Sequence, residues 1–246
     1  GAVIIGEATH GDVCIGHRGR AELEVTIEGV AGHASVPERA RNPLDLVGDV
    51  LSAIADLSDD ERCDPVLGQS SAVATMVRVL PESHNVIPDR AVVVVDLRIL
   101  PDTHEQDVVA ELRALIGVRL GNLPEGLSYN VRLARETQRT YTGLENDWGL
   151  FTPGFLMNPE HQVVRAAAKA VGRRDGTAEN AEVRPWKFAT DGGWSCGVFG
   201  IPTVGFAPGE ECYAHTNREQ LSLEEARWAF DRYPALVTAV QESLLA

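Results

Sequence analysis

Positive charge is scarce in this chain: Lys and Arg number 22 against 36 Asp and Glu, a formal net charge of −14. A nucleic-acid footprint needs a basic face, so nucleic acid is excluded as a partner. The acidic excess favours solubility and says little about fold. Long apolar runs are lacking as well. No stretch reaches the roughly 18–20 residues that cross a bilayer, so no membrane span is expected. No signal peptide is visible. Cysteine is sparse and scattered at Cys14, Cys63, Cys196 and Cys212, with no Cys-x-x-Cys pair. That pattern fits small buried thiols in a reducing compartment, the cytoplasm. There is no internal repeat, coiled coil or low-complexity segment.

With 246 residues, 44% of them hydrophobic and 24% charged, the chain has the make-up of a globular protein with one large or two ordinary domains. Its most telling residue is Glu7, which follows the apolar run Ala2-Val3-Ile4-Ile5. Such a run reads as a buried strand with Glu7 at its carboxyl end, the end that opens into the ligand crevice of α/β sheets. A second potential ligand, His215, follows a Gly/Pro-rich loop far downstream. One carboxylate and one imidazole are too few for a catalytic metal, which usually takes at least three protein ligands. Cys212, three residues before His215, could be a softer ligand, but carboxylate-and-imidazole sites do not need one, and a plain thiol is the simpler reading. The expectation is a metal enzyme whose first part is missing.

Between Arg18 and Gln138 the pattern changes. Leu23, Val25 and Ile27 alternate with Glu22, Glu24, Thr26 and Glu28, a half-exposed strand. From Pro43 to Leu57 the residues Leu44, Val47, Leu51, Ile54 and Ala55 have helical spacing. Strands are predicted over Ser71–Leu80 and Ala91–Leu100, then a helix from His104 to about Val118 with Val108, Leu112 and Ile116 inward. Asp102 as N-cap with Glu105 would make a capping box there. Leu127–Ala134 closes the set as a strand. Strand, helix, strand, strand, helix, strand is the ferredoxin-like order, two helices covering one face of an antiparallel sheet. An irregular stretch follows over Thr140–Asn158, then a helix over Pro159–Val171, a short buried strand at Pro202–Phe206 and a long helix over Leu223–Leu245. On that last helix Ala226, Phe230, Leu236, Val240 and Leu244 form the apolar stripe. The fold class is therefore α/β with an α+β insert: residues 18–138 form the inserted module, and residues 1–17 and 139–246 form part of a parent α/β domain.

Several short motifs follow one another in order: Gly6-Glu7-Ala8-Thr9, Gly29-Val30-Ala31-Gly32-His33-Ala34-Ser35, Asn85-Val86-Ile87-Pro88, Asp96-Leu97-Arg98, Thr190-Asp191-Gly192, Gly200-Ile201-Pro202, and Ala214-His215-Thr216 with Glu219. Together they resemble the M20 family of metal-dependent aminoacylases and peptidases over essentially the whole chain. Within it, Trp186-Lys187-Phe188 and Gly154-Phe155 are similar to a branch linked to amino-acid and dipeptide breakdown. Family members also carry a His-x-Asp, a bridging Asp and a Glu-Glu pair, none of which can be located here, and Ala8 stands where proline is usual.

The resemblance implies that Glu7 binds one metal of a two-zinc site (cobalt or manganese being possible substitutes) and His215 the other. Hard carboxylate oxygen and neutral imidazole both suit zinc, and paired metals activate a bridging water. Without the resemblance, a cap or surface acid for Glu7 and a backbone-satisfied histidine for His215 would be the simpler readings. His33 is implied to reach across a homodimer, formed through the inserted module, and donate to the oxyanion in the partner's site; such donors are typically worth about 3–4 kcal/mol. The alternative is an exposed loop histidine. Arg98 is implied to clamp a substrate carboxylate bidentately, or else pairs structurally with Asp96. Asn85 binds substrate or oxyanion, or simply starts a turn before Pro88. Thr190, Asp191 and Gly209 line the other side of the crevice. His10, His17, His84, His104 and His161 read as surface or capping residues. The implied activity is zinc-dependent hydrolysis of amide bonds in N-acyl amino acids or short peptides, with this chain incomplete by itself. The rival is a non-catalytic dimerisation or binding module descended from such an enzyme.

Overall fold

A computed structural model of the chain describes residues 1–58, 62–177 and 179–245. The main elements are β1 (Val3–Ile5), β2 (Val13–Cys14), β3 (Gly19–Glu28), α1 (Val47–Ser58), β4 (Ser71–Leu80), β5 (Arg90–Ile99), α2 (Glu105–Leu120), β6 (Ser128–Leu133), α3 (Gln162–Val171), β7 (Val183–Arg184), β8 (Thr203–Gly205) and α4 (Leu223–Ser243).

Strands β3 to β6 form an antiparallel sheet in the order β6-β3-β5-β4. Alternation drives it: Ala21, Leu23, Val25 and Ile27 on β3 are fully buried, while the residues between them face outward. They pack with Ala91, Val93 and Val95 of β5 and with α1 and α2 into one apolar cluster. Burial at roughly 25 cal/mol per Å² of apolar surface is what holds such a layer. The α1 stripe is Val50, Ala53, Ile54 and Leu57, so the expectation for Leu44 and Leu51 is corrected. Both are exposed: Leu44 lies in a separate 3₁₀ turn, Pro43–Leu46, capped by Asn42, and Leu51 sits about 100° of helix rotation away from the buried Val50. On α2 the buried residues are Val108, Leu112 and Ile116, as expected. The cap is shifted: the N–H of His104 donates to the Asp107 carboxylate at 3.2 Å, and Asp102 lies outside with φ of 68°.

The second cluster gathers Ile5, Val13, Ile15, Phe155, Val163, Val164, Trp186, Val204, Phe206, Leu236 and Val240. Its sheet runs β1-β8-β2-β7, with β1 parallel to β8, β8 antiparallel to β2 and β2 parallel to β7. Helices α3 and α4 pack beside it; α4 buries Glu225, Ala229, Leu236 and Val240. Phe230 is 76% exposed, a correction to the expected stripe. One residue corresponds to about 100° of helix rotation, so the line through Ala229 leaves Phe230 outside. Residues 140–158 are also more regular than expected. Arg135–Arg139 and Glu145–Gly149 form a hairpin, and Phe151–Thr152 pairs with β3. Hairpin side chains are almost all exposed, so no alternation marks these strands in the sequence.

Candidate active site

Parallel strands β1 and β8 end side by side, and each feeds a loop at its carboxyl end, the usual place for a ligand crevice. From β1 the chain passes to Glu7 and from β8 to the segment leading to His215. Both residues line one cavity of about 750 Å³, together with His10, Arg184, Lys187 and Glu211. The two loops are stitched together by backbone-scale bonds. Thr9 Oγ1 donates to the Ala207 carbonyl at 2.9 Å and accepts the Ala207 N–H at 3.1 Å. Trp186 Nε1 donates to the Ala8 carbonyl at 3.0 Å. Gly209 has φ of 98° and His215 of 59°. Glycine takes that region freely, whereas a non-glycine there is held against its preference by its surroundings.

Arg184 reaches into this corner. Its Nε donates to Asp12 Oδ2 at 2.9 Å, Nη1 to Glu211 Oε1 at 2.5 Å and Nη2 to the Thr9 carbonyl at 2.9 Å. Partial burial disfavours the cation, but the bonds to Glu211 and Asp12 more than offset that and hold the guanidinium above its ordinary range. Cys14, beside it, is fully buried, and desolvation pushes its thiol up to about 12. It is neutral and inert. Cys63 and Cys212 are exposed, a correction to the expectation of buried thiols, and all four cysteines are free.

The chemistry of Glu7 and His215 suits zinc, but their number falls short. Among the described residues no group of three or more His, Cys, Asp or Glu could hold a metal ion. Cys212 lines the same cavity, with its Sγ 3.8 Å from Glu210 Oε2.

The inserted sheet carries the other predicted residues, and two of them meet. Strand pairing sets His33 opposite Val86, and the Ala34 N–H donates to the Asn85 carbonyl at 3.1 Å. His33 is exposed, and its Nδ1 accepts the Ser35 N–H at 3.2 Å with Ser35 Oγ 2.7 Å away. In the tautomer whose Nδ1 accepts, the proton is on Nε2. Asn85 Oδ1 accepts from Ser83 Oγ at 3.0 Å. Arg98 stands apart on the open sheet face, its Nε 3.1 Å from Asp96 Oδ1, while Asp96 Oδ2 accepts from Arg20 at 2.7 Å. The ion pair engages Nε and not the terminal nitrogens. None of these three lines the Glu7 cavity.

Thr190 is buried, with its N–H donating to His17 Nε2 at 2.9 Å and its Oγ1 accepting from Gly192 at 3.1 Å. Asp191 is exposed, and its carbonyl accepts the N–H groups of Trp194 and Ser195 where a π-helical segment begins. His17 is neither surface nor cap. It is fully buried, with Nδ1 2.9 Å from the Arg18 carbonyl, and desolvation pulls its imidazole below 6.5. Its neighbour Gly19 begins the inserted strand, so nothing in the local pattern distinguishes it from a loop histidine. Arg184, Glu211 and Glu225 are likewise site residues that sequence reasoning passed over. A charge set between Val183 and Pro185-Trp186 was the available signal for Arg184.

Residues 15–123 match the M20 peptidase dimerisation domain. The uncharacterised protein YgeY of Escherichia coli is 29% identical over 218 residues, covering 89% of this chain and 52% of that protein. The succinyl-diaminopimelate desuccinylase of Sulfurovum sp. is 26% identical over 92% of this chain and 54% of its own length. The chain thus spans about half the length of the curated relatives it matches. In fold it is similar to a tripeptidase from Staphylococcus aureus, with a TM-score of 0.68 at 18% identity over 97% of this chain and 56% of that one. The aminopeptidase PepT of Bacillus cereus gives a TM-score of 0.66 at 17% identity over 98% and 56%. By these matches residues 15–123 carry the M20 peptidase dimerisation domain, and the chain is similar over most of its own length to YgeY and to a succinyl-diaminopimelate desuccinylase.

Proposed function

We propose that this chain is part of a metal-dependent hydrolase of amide bonds acting on N-acyl amino acids or short peptides. The observation that carries the reading is the meeting of Glu7 and His215, from opposite ends of the chain, in one cavity at the carboxyl ends of β1 and β8. In this reading each supplies one ligand to a zinc site (cobalt or manganese being possible substitutes), and the remaining ligands lie outside these 246 residues. Residues 18–138 act as an inserted dimerisation module on a catalytic domain built from residues 1–17 and 139–246. His33, in the tautomer with its proton on Nε2, donates to the oxyanion in the partner's site, and Asn85 beside it adds a second donor. Arg98 takes the substrate carboxylate with its terminal nitrogens. Thr190, Asp191 and Gly209 shape the opposite wall.

A homodimer is part of the proposal. The edge strand β4 exposes Val73, Met76, Val77 and Leu80 at 45% or more, and open apolar edges favour strand or helix pairing with a second copy. No helix of the described residues is long and apolar enough to cross a membrane. The four free thiols support a reducing, cytoplasmic setting.

The test is hydrolysis of a panel of N-acyl amino acids and dipeptides by the full-length protein, with zinc added or chelated. Zinc-dependent turnover that Glu7→Ala and His215→Ala each abolish is expected. Turnover surviving both substitutions would overturn the assignment. A non-catalytic binding module is the second reading, favoured by the lack of a three-ligand cluster among the described residues. Full-length protein that dimerises yet hydrolyses nothing on the panel would establish it.

A further inference from the structure

We propose that Glu225 and Arg184 are positioning residues that clasp the loop after β1 to the loop after β8, and so set Glu7 and His215 in one fixed relation. The functional meaning rests on the reading of Glu7 and His215 given above; the clasp itself is a matter of backbone order.

Glu225 sits in the first turn of α4, and its side chain is only 4% exposed. A buried carboxylate must find donors to offset its lost hydration, and those Glu225 finds belong to both loops. Its Oε1 accepts the Gly209 N–H at 3.0 Å and lies 3.3 Å from His10 Nδ1. The two loop residues are joined to each other as well, the His10 N–H donating to the Gly209 carbonyl at 2.8 Å. Both occupy left-handed backbone, His10 at φ of 55° and Gly209 at 98°. The first of these needs an external hold. Arg174 approaches Oε2 at 3.6 Å, and the Ser222 hydroxyl accepts the Glu225 N–H at 3.3 Å, anchoring the carboxylate's own backbone.

Arg184 repeats the design from β7. It ties Asp12 and the Thr9 carbonyl of the first loop to Glu211 of the second, and the other oxygen of Glu211 accepts the Lys187 N–H at 3.1 Å. Two charged centres on different elements therefore bridge the same pair of loops. Charge-assisted bonds shielded from water are the strong class, and neither centre lies on the loops it joins.

Amide hydrogen exchange on the 246-residue chain tests this, comparing Glu225→Ala, Glu225→Gln, Arg184→Met and Arg184→Lys with the parent. In Glu225→Ala the His10 and Gly209 amides should exchange roughly tenfold to a hundredfold faster, the scale of one lost charged hydrogen bond. The amides of Val93 and Val95 in β5 should not change. Glu225→Gln keeps an acceptor for Gly209, so Gly209 should be largely rescued. Arg184→Met should accelerate Gly11 and Lys187, with partial rescue by Arg184→Lys. Loop exchange unchanged in a folded Glu225→Ala, or a rise shared equally by β5, would overturn the clasp. Should the alanine and methionine variants not fold, the glutamine and lysine variants decide it by the same local contrast. No metal or substrate enters this measurement, so failure of the hydrolase assay would leave it standing, and its failure would leave the assay untouched.

Discussion

Arg98 has one nitrogen in an ion pair with Asp96 and two left to offer a ligand. Lysine in its place keeps the charge but cannot fork. If Arg98 clamps a substrate carboxylate as proposed, Arg98→Lys in the full-length protein should lose roughly 30-fold or more in the specificity constant on substrates with a free α-carboxylate. Their amidated analogues should be largely spared. Equal losses on an acid and amide pair, accompanied by a lower melting temperature, would reduce Arg98 to a brace for Asp96. His17 makes a prediction about pH. Desolvation lowers its imidazole below 6.5, with the backbone bonds at Arg18 and Thr190 offsetting part of the drop. The unfolded chain then binds a proton at a pH where the folded chain does not. Its contribution is complete above 6.5 and is lost as pH falls from there through the folded value. Urea unfolding from pH 7.5 down to 5 should show declining stability, and His17→Gln should flatten that decline.

At the level of elements, β8 is held against Trp186 with no room to spare. A Cβ on Gly205 would lie 1.9 Å from the indole ring, and the ring is 3% exposed with its Nε1 bonded to Ala8. Gly205→Ala should destabilise the fold by about 1–3 kcal/mol, typical of overpacking, read as a shifted denaturation midpoint. Strand β4 makes the opposite kind of prediction, since its apolar residues face outward at the edge of the sheet. Lysine at Met76 and Val77 should leave the monomer folded, because neither side chain is buried, and charges on an edge oppose pairing. Light scattering should then show the parent as a dimer and the double variant as a monomer. A parent chain that is monomeric at micromolar concentration would remove both the dimer and the role of His33 in its partner's site.

For the molecule as a whole, zinc is the measure. On the function proposed above, Glu7 and His215 give this chain two ligands, too few to hold two ions tightly, since metal binding needs its full ligand set deprotonated and in place. After dialysis the 246-residue chain should retain less than one zinc per molecule by elemental analysis, and the full-length protein two. Two tightly bound ions on this chain alone would mean that ligands other than Glu7 and His215 are at work. The formal net charge of −14 gives no help to a cation beyond loose attraction, which salt should strip away.

How far the sequence reaches depends on the range of the interaction. The strand β3 and the helix α2 were legible because their burial repeats every two or every three to four residues, and the structure buries the same sides. The order of the motifs was legible too, and with it the M20 dimerisation domain. Short-range signals misled where the cause lay elsewhere. The helix α1 starts a turn late because Pro43 begins a separate 3₁₀ turn, and Phe230 is exposed because packing by α3 and the sheet selects the line through Ala229. The sequence marks Arg184 only as a charge in an apolar setting and says nothing of which groups the clasp around Glu225 and Arg184 joins. Gly209, His10, Thr9 and Glu211 meet only when β1 and β8 pair. Local periodicity is written by each element's own burial, so the chain alone determined the periodic elements and the dimerisation domain; which charged side chains converge is decided by long-range pairing, and that only the tertiary structure supplied.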